Sequence, residues 1–214
     1  RAGLTGPDGP THHGAFDLGY LRLFPNMAVL APGDEHDLAA MLDWALAHGG
    51  PVAIRYPKAT VENHGGQRPP IELGRSEMFA EGHDGLVVAC GTLLGEALAA
   101  AAELRGEGLD VSVINARFVK PLDPTILERI EAAPWTVTLE ENVLQTGFGS
   151  AVLEAVNDAG LPAGTIVRLG LPDRFVEHGE RADLLADLGL DAAGIAATCR
   201  RLAGRTTAHV TLHH

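Results

Sequence analysis

Two cysteines occur in 214 residues, Cys90 and Cys199. They stand far apart with no C-x-x-C spacing, which argues against a disulfide framework or a zinc site; both read as buried thiols. Cations are also scarce, with 16 Lys and Arg against 28 Asp and Glu and a formal charge of −12. General affinity for nucleic acid or an anionic membrane needs clustered Lys and Arg, so neither partner is expected, and only a local basic pocket remains open. No run approaches the roughly 18 apolar residues of a membrane span and nothing resembles a targeting peptide, so the expected compartment is the cytoplasm. An initiator Met is missing as well. The chain opens with "RAGLTGPDGPTHHGAFD", which sets Arg1, Asp8, His12 and His13 among four glycines and two prolines, where a terminus would ordinarily fray.

Against these absences, 46% of the residues are hydrophobic, enough for a globular core. Apolar runs alternate with helical periodicity, the pattern of an α/β protein with a mostly parallel sheet. "NMAVLAP" reads as a short buried strand. Asp34 offers an N-cap, and Leu38, Met41, Leu42, Ala45 and Leu46 form one apolar helical stripe that stops at Gly49-Gly50. "PVAIRYP" is the next strand, and the Gly and Pro pairs beyond it predict a linker over 61–80. A second block follows: "GLVVACG", a helix carrying Leu94, Ala97, Leu98, Ala101 and Leu104, "LDVSVINARF", a helix near 123–132, "WTVTLEEN", a helix over 148–158, "TIVRLGLPD", and helices near 180–188 and 191–203.

Four strands with interleaved helices make 81–205 a self-sufficient α/β domain, followed by a tail at 206–214 without periodicity. Residues 1–60 supply only two strands and one helix, too little to close a core over a parallel sheet. They read as the C-terminal half of a domain, so that Arg1 to Asp17 is an internal loop at the end of a strand, where α/β sheets place binding residues.

The stretches "RAGLTGPDGPTHHGAFDLGYLR", "GPVAIRYPKA", "ARFVKPLD", "EEN", "GFGSAVLEA" and "LGLPDRFVEHG" are similar, in order and spacing, to 1-deoxy-D-xylulose-5-phosphate synthases, thiamine-diphosphate-dependent relatives of transketolase. The resemblance implies the end of a pyrimidine-binding domain followed by a transketolase C-terminal-type domain. It also implies condensation of pyruvate with glyceraldehyde 3-phosphate, with loss of CO2, feeding isoprenoid, thiamine and pyridoxal biosynthesis. Thiamine diphosphate and Mg2+ are the implied cofactors, with their main ligands, and the Glu that activates the aminopyrimidine, expected upstream of this segment. A homodimer is implied too, the segment supplying acceptor-substrate residues and a dimerisation domain. It is expected to be inactive without the upstream portion of the same polypeptide.

Taken alone, His12 is a histidine in a Gly-rich loop and Asp8 a turn residue beside Gly9. In D-G-x-T-H-x-G the resemblance makes His12 a proton-transfer group, suited by an imidazole that changes charge near neutral pH, and Asp8 a contact to substrate hydroxyls or an orienter of His12. His13 reads as a bystander. Arg1 and Lys58 are the implied contacts to the acceptor phosphate; Lys58 stands where the family usually has Arg, keeping the charge and losing the planar fork, and by itself it is a solvated strand-end residue. Arg55 reads as structural. "TGFGS" lacks the third Gly of a dinucleotide site and reads as a close-packed turn, and Glu140, Glu141 and Asn142 as turn and interface groups. Two alternatives stand beside the synthase: a non-catalytic assembly or binding module, and a part of another transketolase-like enzyme.

Overall fold

The alternation of apolar runs and helical stripes folds, in this computed structural model, onto two sheets. The structure describes residues 1–60, 62–162 and 164–211. An N-terminal loop with one 3-10 turn at Gly6–Asp8 leads into α1 (Asp17–Leu21), β1 (Ala28–Leu30), α2 (Glu35–His48) and β2 (Val52–Ile54). Then follow β3 (Glu77–Ala80), β4 (Gly85–Ala89), α3 (Leu93–Gly106), β5 (Val111–Asn115), β6 (Phe118–Lys120), α4 (Pro124–Ala132), β7 (Thr136–Val143), α5 (Phe148–Asp158), β8 (Ile166–Leu171), α6 (Arg181–Asp187) and α7 (Ala192–Thr211).

The larger sheet has the order β3-β5-β4-β7-β8; its last four strands are parallel and β3 is antiparallel to β5. β4 shows why the run "GLVVA" is apolar throughout. Val87 and Ala89 face α3 and α7 through Leu94, Ala97, Leu104, Ile195 and Cys199, while Leu86 and Val88 face α4 and α5 through Ile126, Ile130, Phe148 and Val152. With both faces covered, every position is buried. Cys90 and Cys199 are free and buried, as expected, and burial pushes both thiols up to about 12.

The smaller sheet, β2-β1-β6, departs from expectation. "LDVSVINARF" is not one strand: β5 ends at Asn115, Arg117 takes a left-handed φ of 55°, and the chain crosses to pair β6 antiparallel with β1. The second block thereby donates the third strand that residues 1–60 lack. Phe118, fully buried, packs with Ala28, Leu30 and Met41, and Trp44 meets it edge-on at 5.5 Å. The buried line of α2 is therefore Asp37, Met41 and partly buried Trp44. The expected stripe fails at Leu42 and Leu46, which are 54% and 80% exposed, because three short strands cover only a narrow face of the helix. Its ends match the reading: the Asp34 side chain accepts from the Asp37 N–H at 2.9 Å, and Gly49 adopts φ 73°.

The segment 61–80, expected to be a linker, contains β3 and a buried ionic cluster. The Arg68 guanidinium donates to Glu77 at 2.6 Å, to Asp37 at 3.1 Å and to Asp34, while Arg117 donates to Asp37 at 3.0 Å and lies 2.7 Å from Glu77. Asn115 Nδ2 adds a bond to Asp37 at 2.7 Å. All five charged side chains are at most 7% exposed. Burial opposes ionisation of Asp34, but the Asp37 N–H and the Arg68 guanidinium outweigh it and hold the carboxyl below its ordinary 3.8. The cluster ties α2, the segment before β3 and the end of β5 together. At the other terminus, α7 runs through Thr211, into the stretch read as a tail; residues 212–214 of that stretch lie outside the described residues.

Candidate functional site

The opening loop is anchored by backbone pairing. The Ala2 N–H donates to the Tyr56 carbonyl at 2.9 Å, Ala2 bridges Pro57 in parallel, and Gly3 and Gly14 exchange hydrogen bonds of 3.0 and 2.9 Å. This pairing sets Arg1 beside the end of β2, next to Lys58. Two glycines are required. A Cβ on Gly3, at φ 66°, would lie 1.9 Å from Glu141 Oε2, and one on Gly14 would lie 1.5 Å from the Arg1 carbonyl oxygen.

The predicted site residues come together. Asp8 Oδ2 accepts from Lys58 Nζ at 2.8 Å and from Arg1 Nη1 at 3.2 Å, so one carboxylate sets the spacing of two half-exposed cations. The bond from Lys58, with added attraction from His12 and Arg1, holds the Asp8 carboxyl below 3.8. Arg1, Lys58 and His12 line a cleft of about 590 Å3, with His13, Asp17, Tyr20, Arg55 and Tyr56 on its other walls. Asp8 is not a wall residue; it sits against the cations. The His12 ring bonds to Thr11 Oγ1 through Nδ1 at 2.9 Å.

β7 lies behind the cleft-lining Arg55. Arg55, 7% exposed, donates through Nε to Asp17 at 2.8 Å and through Nη2 to the carbonyls of Gly14 and Glu141 at 2.6 and 2.7 Å, in keeping with a structural role. Glu140, Glu141 and Asn142 lie within β7 and point alternately; Glu141 and Asn142 have long-range partners and are interface groups, while Glu140 bonds into the turn that follows the strand. Glu141 accepts the Leu4 N–H at 2.9 Å and pairs with Arg181, while Asn142 Oδ1 accepts the Leu18 N–H at 3.4 Å. Glu140 occupies the N-terminus of α5, accepting the N–H groups of Phe148 and Gly149 at 2.6 and 2.9 Å. "TGFGS" is thus a close-packed turn around a carboxylate, and burial raises that carboxyl to about 7 against the pull of the two amides. Sequence reasoning missed His13: its Nδ1 accepts the Thr5 N–H at 3.0 Å, and its Nε2 lies 3.4 Å from the Glu177 carbonyl oxygen. A partner 164 residues away leaves no local signal.

Residues 74–195 match the C-terminal domain of transketolase and residues 1–63 its pyrimidine-binding domain; the first match alone covers more than half of the chain, which therefore belongs to the transketolase family. Within that family the chain is similar to the C-terminal portion of 1-deoxy-D-xylulose-5-phosphate synthases. It is 51% identical over 213 residues to 1-deoxy-D-xylulose-5-phosphate synthase 2 of Geobacter sulfurreducens, covering 96% of this chain and 33% of the relative. Against the synthase of Rhodopirellula baltica it is 48% identical over 211 residues, 98% of this chain and 33% of the relative. The chain thus spans about a third of the length of these curated relatives. Among solved structures it resembles a split-gene transketolase described as an inactive beta4 tetramer, with a TM-score of 0.81 and 31% identity over 91% of this chain and 63% of that one. No helix among the described residues is long and apolar enough to cross a membrane.

Proposed function

We propose that this chain forms the acceptor side of a thiamine-diphosphate-dependent 1-deoxy-D-xylulose-5-phosphate synthase, which joins pyruvate to glyceraldehyde 3-phosphate with loss of CO2 in the cytoplasm. The observation that carries the reading is the convergence of Arg1 and Lys58 on Asp8 at the edge of a cleft that also holds His12. Arg1 and Lys58 bind the phosphate dianion by charge-assisted hydrogen bonds. Asp8 sets their spacing before the substrate arrives. His12 exchanges a proton with the acceptor oxygen that becomes a hydroxyl as the new carbon–carbon bond forms.

Thiamine diphosphate, when bound, supplies the electron sink for decarboxylation. The cleft does not fit its Mg-pyrophosphate end: the groups around it are three cations, imidazoles and carboxylates already paired to Arg1, Lys58 and Arg55, and no group of three or more His, Cys, Asp or Glu among the described residues could hold a metal ion. We assign those ligands to the two thirds of the relatives' length that this chain does not span. The chain on its own is accordingly inactive, a reading favoured by the inactive beta4 assembly of the related split-gene protein; a homodimer of the full-length enzyme is the proposed working state. The test is turnover of pyruvate and glyceraldehyde 3-phosphate with thiamine diphosphate and Mg2+. The full-length enzyme carrying this chain forms product and CO2 and the 214-residue chain does not; a full-length enzyme that ignores this pair of substrates refutes the proposal.

A further inference from the structure

We infer that His13 is a positioning residue, an imidazole clamp that fixes the loop bearing Asp8 and His12 onto residues 176–179 of the C-terminal block. The inference deepens the acceptor-site reading above and rests on it. Thr5 is 4% exposed, so its N–H needs a partner inside the protein, and that partner is His13 Nδ1 at 3.0 Å. A backbone N–H can only donate. Nδ1 therefore carries a lone pair, and the ring proton sits on Nε2, facing the Glu177 carbonyl oxygen at 3.4 Å. One ring thus joins two segments, and the backbone around it is in close register: the Gly179 N–H approaches the Gly6 carbonyl at 3.4 Å, and a Cβ on Gly9 would meet His178 Cβ at 3.2 Å.

The clamp reaches the cleft through the peptide chain. The N–H groups of His12 and His13 both donate to the Gly9 carbonyl, at 3.0 and 3.2 Å, and Gly9 follows Asp8. Releasing His13 from Glu177 and Thr5 frees this turn as a unit, carrying His12 and the Asp8 carboxylate with it. By this geometry the C-terminal block does more than assemble subunits: it holds the proton-transfer loop at a fixed height over the cleft.

The test uses the full-length enzyme carrying this chain, with His13→Leu and His13→Asn. Leu keeps bulk and loses the bonds to the Thr5 N–H, the Thr5 hydroxyl at 3.1 Å and the Glu177 carbonyl; Asn places its amide oxygen where Nδ1 stands and can accept the Thr5 N–H. In His13→Leu, kcat falls about tenfold or more and the KM for glyceraldehyde 3-phosphate rises, while the KM for pyruvate stays within about twofold. Hydrogen exchange of peptides covering residues 3–14 speeds up in the same variant. His13→Asn restores slow exchange and brings kcat to within about threefold of the parent. An Asn variant no better than Leu by either readout, or a Leu variant that keeps parental exchange and kinetics, overturns the clamp. If the parent enzyme does not use these substrates, the functional reading fails, and exchange at 3–14 still decides the role of His13.

Discussion

Arg117→Met removes one of two guanidiniums from the cluster that joins the two sheets. Arg117 is 1% exposed and serves Asp37 and Glu77; without it, Asp34, Asp37 and Glu77 share Arg68 alone. Met fills a similar volume, so the loss is electrostatic rather than a cavity. Removing one partner of a buried pair costs about 3–5 kcal/mol, because the remaining charge stays desolvated. For a chain of this size each kcal/mol moves the midpoint by about 2–4 °C, giving a fall of about 6–20 °C in Tm. Arg105→Met is the control: Arg105 meets Asp110 at 2.7 Å, but its side chain is 54% exposed, and such pairs contribute about 0–1 kcal/mol. Thermal and urea unfolding of both variants beside the parent measure the difference. A cost below about 1 kcal/mol for Arg117→Met would mean the cluster is solvated or rearranges freely, and the argument for a rigid junction would fall.

Three further outcomes follow from the same geometry. Asp34 has a folded pKa held below its ordinary 3.8, so the stability it contributes is complete above that value and is lost as pH falls through the lowered folded value; Asp34→Asn flattens this acid limb in pH-dependent unfolding. Glu140 has the opposite sign. Its carboxyl is raised from 4.5 to about 7, so the folded state binds the extra proton between those values and stability declines as pH rises across them; Glu140→Gln removes that slope, and an unchanged profile refutes the assignment. Gly3→Ala forces a Cβ onto Glu141 at a positive φ and costs about 1–3 kcal/mol, measured by denaturant titration; an alanine variant as stable as the parent contradicts the pinned loop.

The parallel half of the fold is legible because β4, β5 and β8 are largely apolar, β7 opens on the alternating TVTL, and the helices between them carry periodic apolar positions; of the stripe expected on α3, Leu94, Ala97, Ala101 and Leu104 are buried and Leu98 partly so. The antiparallel strands are not. β3 and β6 are four and three residues long, and β6 follows a residue at positive φ that no propensity anticipates in an Arg. The exposure of Leu42 and Leu46 depends on how much sheet lies beneath α2, which periodicity does not contain. Arg68 and Arg117 look like ordinary surface cations in sequence; their burial comes from acids up to 80 residues away. The site divides in the same way. Arg1, Asp8, His12 and Lys58 are marked by their motifs and do converge, whereas the pairing of Asp8 with both cations and the bonds of His13 exist only once the loop is folded.

The central claim is that the cleft receives a phosphate held by Arg1 and Lys58. Its most direct test is steady-state kinetics of Lys58→Ala in the full-length enzyme, with each substrate varied. A charged hydrogen bond contributes about 1.5–3 kcal/mol, and because Lys58 is 52% exposed the lower end applies, which is about tenfold in KM. The account predicts that rise for glyceraldehyde 3-phosphate, a pyruvate KM unchanged within about twofold, and acceptor affinity preserved or improved in Lys58→Arg, where the planar fork returns. An unaltered KM for glyceraldehyde 3-phosphate in Lys58→Ala would contradict it.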